Sequence, residues 1–163
     1  MLTLCDTHVL LFWADRRERL SRVAREALEA SGAQGDLACC GISFWEIALL
    51  FRKNRLVFPP RHTPVTYMDD IVCALGLTVV SLTPAIAALA ESGIVSHADP
   101  ADRLIAATAL QHRAPLITAD EKLRATNMHL VNRHSNPCSW FGPRHGRGRG
   151  ARRCAAPGNP ADS

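Results

Sequence analysis

A chain of 163 residues with 47% hydrophobic and 21% charged side chains can bury one real core and is not composed like a fibrous, wholly disordered or membrane-embedded protein. Apolar runs such as residues 9–14 fall far short of the roughly 20 residues a spanning helix needs, and the start lacks the basic stretch of a secretory signal, so a cytoplasmic protein is expected. The formal net charge of +4 is unevenly placed: residues 1–132 carry 13 Lys and Arg against 14 Asp and Glu, whereas residues 133–163 carry six Arg against Asp162 alone.

That division predicts one domain over residues 1–132 and a tail over 133–163. The tail is rich in Gly, Pro and Arg and almost free of aliphatic residues, so it buries too little surface to offset its ordering entropy and is expected to be disordered. Its Arg/Gly tract suits phosphate contacts and simple solvation equally well. The six cysteines show neither paired CxxC spacing nor a Cys/His zinc pattern, and are read as reduced, small hydrophobes.

In chain order, residues 2–5 (LTLC) read as a buried strand that ends at Asp6 and runs into a short helix through Trp13. Ser21 is placed to cap a second helix, with Gly32 to stop it. Residues 37–42 are strand-like, residues 43–54 helical from SFWE, and residues 64–75 a further helix. Residues 77–82 form a strand by β-branched content; residues 84–92 begin with Pro and form a helix. The stretch HADPADRLIAATAL supplies the next helix through His112, followed by a short strand at 115–118, a brief helix and an edge strand at 128–132. Strands alternating with helices predict an α/β fold, a parallel sheet covered on both faces, in which sites form outside the carboxyl ends of the strands.

Asp6 and Asp120 lie just past strands, and Glu46 and Asp102 lie in first turns of helices. In a parallel sheet all four fall along one edge. Each also has a structural explanation: Ser43-x-x-Glu46 is a capping box, Asp99 before Pro100 is an N-cap able to pair with Arg103, and Asp6 and Asp120 are ordinary turn residues. Helical spacing separates the two aspartates of HADPADR. Asp102 shares a face with Ile105, Ala106 and Ala109, so it heads the core-facing stripe, as Glu46 heads Leu49 and Leu50. Carboxylates gathered in a partly buried site repel one another, and a divalent cation resolves this. An oxygen-rich set suits Mg²⁺ or Mn²⁺, ions that activate water and stabilise the leaving oxygen in phosphodiester hydrolysis.

The pieces LCDTHVLLFW, ISFWEIALL, HADPADRLIAATAL and PLITADEKL, in that order over residues 1–132, resemble the PIN domain and, within it, the VapC-type toxins of toxin–antitoxin pairs. The resemblance implies a three-layer α/β/α fold with about five parallel strands, metal-dependent endoribonuclease activity on RNA, an inhibiting antitoxin partner and a homodimer. Carried over by position, Asp6, Glu46, Asp102 and Asp120 match the family's catalytic, metal-holding quartet. Thr118 matches a hydroxyl residue often found before the last acid, and Asp99 an acid common in one group of these toxins. Asp99 and Ser43 are read as supporting or capping residues. Arg52, Lys53 and Arg55 are candidate RNA-backbone contacts, and His8, His97 and His112 are read as satisfied or solvated histidines.

Two alternatives remain. A phosphoacceptor receiver domain needs an acidic pair after the first strand, where this chain has Asp6-Thr7-His8, and a lysine directly after the last, where Lys122 comes late. A non-catalytic PIN-like module that binds RNA or protein would be favoured by loss of a quartet acid, and none is missing.

Overall fold

The computed structural model describes residues 1–57, 60 and 62–125. Four strands, β1 (Thr3–Cys5), β2 (Leu37–Cys40), β3 (Thr78–Val80) and β4 (Leu116–Ile117), form one sheet in the order β3-β2-β1-β4. All pairings are parallel; Cys5 stands beside Cys39 and Ile117, and Cys39 beside Val79. The expected strand at residues 128–132 and the tail lie outside the described residues.

Successive side chains of these strands point to opposite faces, and both faces are buried in β1, β2 and β4, whereas the edge strand β3 is exposed at Thr78 and Val79. Cys5, Leu37, Cys39 and Ile117 join one core with Val9, Leu10, Leu28, Ile47, Tyr67 and Ile71. Leu4, Ala38, Cys40 and Leu116 join a second with Ile105, Ala106, Ala109 and Leu123. The first core is roofed by α1 (Thr7–Asp15), α2 (Arg22–Ala33), α3 (Ile42–Arg52) and α4 (Pro64–Leu75). On the other side are α5 (Pro84–Ala90), α6 (Pro100–Gln111) and α7 (Glu121–Ala125). This covering explains why the strands read as continuous apolar runs.

Local rules account for most helix starts. Ser21 accepts from the Ala24 amide, Thr63 and Thr66 form a reciprocal capping box ahead of Pro64, and Asp99 accepts from the Ala101 amide ahead of Pro100. Three expectations are corrected. Helix α2 runs through Gly32; the left-handed turn falls at Gly35, with φ 69°, while a Cβ on Gly32 would meet Leu37 Cδ1 at 3.3 Å. Helix α3 starts at Ile42 after Gly41, so Ser43 sits inside the first turn facing the core. Its hydroxyl is buried without a hydrogen-bond partner, and the Ser43–Glu46 capping box does not form. Finally, Cys5, Cys39 and Cys40 are free and buried, as expected, but Cys73 is disulfide-bonded.

The chain leaves β1 towards β2 and β3 on one side, then returns past β1 to reach β4 by way of the opposite face. The topological switch therefore lies between β1 and β4, the place where sites form outside the carboxyl ends of strands in such sheets. Asp6 follows β1, and Thr118 and Asp120 follow β4. Helix α3 begins directly after β2. Helix α6 precedes β4 and so must begin at the same sheet edge.

Candidate active site

Asp6 stands at the N-cap position of α1 yet makes no cap hydrogen bond, and it is only 1% exposed. Its Oδ2 accepts from the Thr118 hydroxyl at 2.7 Å, while Oδ1 is buried with no partner among the described residues. An unpaired carboxylate oxygen in this position is costly, so the turn-residue explanation fails for Asp6. Thr118 also accepts from the Asp120 amide at 2.9 Å, linking the ends of β1 and β4.

Asp120 divides its oxygens. Oδ1 caps α7 by accepting from the Lys122 and Leu123 amides at 2.6 and 3.1 Å, and Oδ2 faces His97 Nε2 at 3.5 Å. Asp102 heads the buried stripe of Ile105, Ala106 and Ala109 and places Oδ2 3.2 Å from His97 Nδ1. Glu46 comes from the other face of the sheet, its Oε2 accepting from the Thr7 hydroxyl at 2.6 Å. One ligand atom each from His97, Asp102 and Asp120 lie within 4.8 Å of one another; among the described residues no group of three or more at that spacing includes Asp6 or Glu46, which act on Asp102 as nearby charges or are acted on by it.

The electrostatics show how closely the acids act on one another. Burial pushes the Glu46 carboxyl up to about 7, helped by the charges of Asp6, Asp102 and Asp99 and opposed by the Thr7 hydroxyl. Burial and the charge of Asp6 push Asp102 up to about 6, with His97 pulling the other way and Asp99 and Asp120 adding to the rise. Asp6 is raised chiefly by its burial, with the charge of Asp120 adding to the rise and the Thr118 hydrogen bond and the ring and amide of His8 opposing it. Burial also acts to raise Asp120, but the Leu123 and Lys122 amides together with His97 outweigh it and hold this acid below the ordinary value. The repulsion expected of gathered carboxylates is thus present in three of the four.

Among the supporting residues, Asp99 caps α6 and acts on Glu46 and Asp102 only as a nearby charge. It does not pair with Arg103, whose guanidinium instead donates to the His97 carbonyl and to Glu91. Arg52, Lys53 and Arg55 are exposed at the far end of α3; six residues separate Glu46 from Arg52, about 9 Å along the axis. His8 is exposed beside Phe12, and His112 is exposed at the end of α6.

Two contacts were not legible in the sequence. Thr7 follows Asp6 directly, and only the packing of α1 on α3 reveals that its hydroxyl serves Glu46. The side chain of His97 is 7% exposed and lies between two of the acids. The available signal was its position two residues ahead of a capping Asp-Pro, which keeps it outside the helix but beside Asp102.

Thr118 bears on both Asp6 and Asp120, so Thr118→Val should leave the Asp120 amide and Asp6 Oδ2 unpaired. We expect a loss of about 1–3 kcal/mol in stability, measured by denaturant unfolding; an unchanged midpoint would mean that water replaces both bonds.

A buried parallel sheet with acids gathered at its switch point defines the class, and the PIN domain family model matches residues 3–127. The chain belongs to the PIN domain family and, within it, to the VapC-type proteins. It is 35% identical over 136 residues to Ribonuclease VapC22 of Mycobacterium tuberculosis, covering 82% of this chain and 94% of that protein. A chain of a toxin–antitoxin complex from Klebsiella pneumoniae shares the fold with a TM-score of 0.54 at 20% identity, over 80% of this chain and 96% of that one.

Proposed function

We propose that this protein is an endoribonuclease that hydrolyses RNA phosphodiester bonds with Mg²⁺ or Mn²⁺ and acts as the toxin of a toxin–antitoxin pair. The observation that carries the reading is Asp6 Oδ1, buried and unpartnered beside acids that repel it. A bare carboxylate oxygen near enough to other acids to feel their charge fits a hard divalent cation. Asp6 and Asp102 would hold the ion, with Glu46 and Asp120 completing the set. Such an ion supplies Lewis-acid stabilisation of phosphoryl oxygens and activation of water.

The chain's own groups keep the acids in place. Thr118 occupies Asp6 Oδ2, which leaves Oδ1 without a hydrogen bond, and Thr7 fixes Glu46. The α7 amides hold Asp120 Oδ1, which leaves Oδ2 facing His97. The name of the Mycobacterium tuberculosis relative supports RNA as substrate, and the VapC type supports an antitoxin that covers the site. A homodimer, a cytoplasmic location and a nuclease domain ending near residue 132 belong to the same reading. Among the described residues no helix is long and apolar enough to cross a membrane.

Purified protein should cleave single-stranded RNA with added Mg²⁺ or Mn²⁺ and stop when chelator is in excess; equal cleavage in chelator would contradict the reading. Arg52, Lys53 and Arg55 are assigned to the RNA backbone. Replacing all three with Ala should raise KM and flatten its salt dependence while leaving kcat unchanged; an unchanged KM would remove them from the RNA path.

A further inference from the structure

We propose that His97, held by Arg103, is a positioning residue that sets the separation of Asp102 and Asp120. The inference rests on the nuclease reading above and adds two residues to its machinery.

The imidazole is almost fully enclosed and meets an acid with each nitrogen: Nδ1 lies 3.2 Å from Asp102 Oδ2, and Nε2 lies 3.5 Å from Asp120 Oδ2. These acids come from separate elements, the first turn of α6 and the cap of α7. Little else in the described residues spans them directly. Thr118 joins Asp120 to Asp6, and Thr7 joins Glu46 to α1, but among the described residues Asp102 accepts no side-chain hydrogen bond and has the His97 ring as its close neighbour. Nε2 is buried and has no hydrogen bond to satisfy it. A polar ring left underbonded between two carboxylates is poorly explained as core filling.

The ring is itself braced. The Asp99 amide donates to Nδ1 at 3.1 Å, so Nδ1 accepts and Asp102 Oδ2 packs against the ring without a hydrogen bond to it; Asp99 in turn caps α6 through Ala101. Arg103, one turn into the helix, reaches back to the His97 carbonyl at 2.9 Å with Nη1 and to Glu91 at 2.8 Å with Nη2. A planar guanidinium makes both bonds at once, which a lysine ammonium on a flexible stem does poorly. Arg103 thus straps the loop before α6 onto the helix that carries Asp102. The HADPADR stretch is one device: Asp102 faces the pocket, His97 spaces it from Asp120, and Asp99 and Arg103 hold His97.

Loss of a group that orients metal ligands commonly costs 10–100-fold in metal affinity or activity. His97→Ala should therefore weaken Mn²⁺ binding by about 10-fold or more, read by calorimetry without RNA, and lower kcat with little change in KM. Arg103→Ala should move both quantities the same way by a smaller factor, and Arg103→Lys should recover little of it. His97→Gln, close in reach to the ring, should fall between wild type and His97→Ala, and it serves as the reading if His97→Ala does not fold. Variants that lose only thermal stability, with wild-type Mn²⁺ affinity and kcat, would overturn the positioning role while leaving the nuclease reading intact. A wild-type protein that binds no Mn²⁺ and cleaves no RNA would overturn both.

Discussion

Replacing Asp6 with Asn is expected to abolish RNA cleavage and, at the same time, to make the metal-free protein more stable. Asp6 is 1% exposed, one of its oxygens has no partner, and neighbouring acids push against its charge. Its carboxyl is raised in the folded state, so ionised Asp6 opposes folding at neutral pH. Asparagine keeps the shape and can still accept from Thr118, and its amide N–H₂ group faces the acids that repelled the missing charge. Removing a buried, incompletely paired charge in this way often stabilises a fold. Melting temperature should rise, by about 2–4 °C for each kcal/mol gained in a domain of this class. Activity should fall on the order of 100-fold or more, comparable at least to loss of a positioned acid or base. A variant that loses activity together with stability would place Asp6 among structural residues.

Divalent cations should stabilise the protein more at high pH than at low pH. Glu46 is raised to about 7 and Asp102 to about 6, above the roughly 4.3 and 3.9 of unfolded glutamate and aspartate. Between these values the folded chain binds more protons than the unfolded one. The stability these two acids contribute is therefore fully present below about pH 4 and is lost as pH rises through 6 to 7. Metal-free protein should melt at falling temperature from pH 5 to pH 8. Mn²⁺ competes with those protons and binds only the folded site, so it should offset the fall above pH 7 and do little at pH 5. Thermal melts at the two pH values, with and without Mn²⁺, measure this. An equal gain at both would mean that the ion does not engage Glu46 and Asp102.

The parts of the fold governed by local rules were legible in the sequence. Apolar runs placed β1 and β2, Pro64 and Pro100 opened helices as expected, and Ser21 and Asp99 cap as their residue types predict. The inward stripe behind Asp102 followed from helical spacing, because Ile105, Ala106 and Ala109 are all buried. Contacts between elements were not legible. Ser43-x-x-Glu46 has the spacing of a capping box, but α3 starts at Ile42 and the Thr7 hydroxyl from α1 claims the glutamate. Arg103 has the spacing to pair with Asp99, but a backbone carbonyl and Glu91 compete for it. In the sequence His97 reads as a satisfied or solvated histidine because its contact with Asp120, at the cap of α7, comes from more than 20 residues later in the chain.

The central claim is that Asp6, Glu46, Asp102 and Asp120 hold one catalytic cation site at the switch between β1 and β4. Anomalous diffraction from crystals grown with Mn²⁺ tests it most directly. We expect a peak within bonding distance of Asp6 Oδ1 and the Asp102 carboxylate, on the side where Asp120 Oδ2 lies. A peak elsewhere, or none at a Mn²⁺ concentration that supports RNA cleavage, would contradict the account.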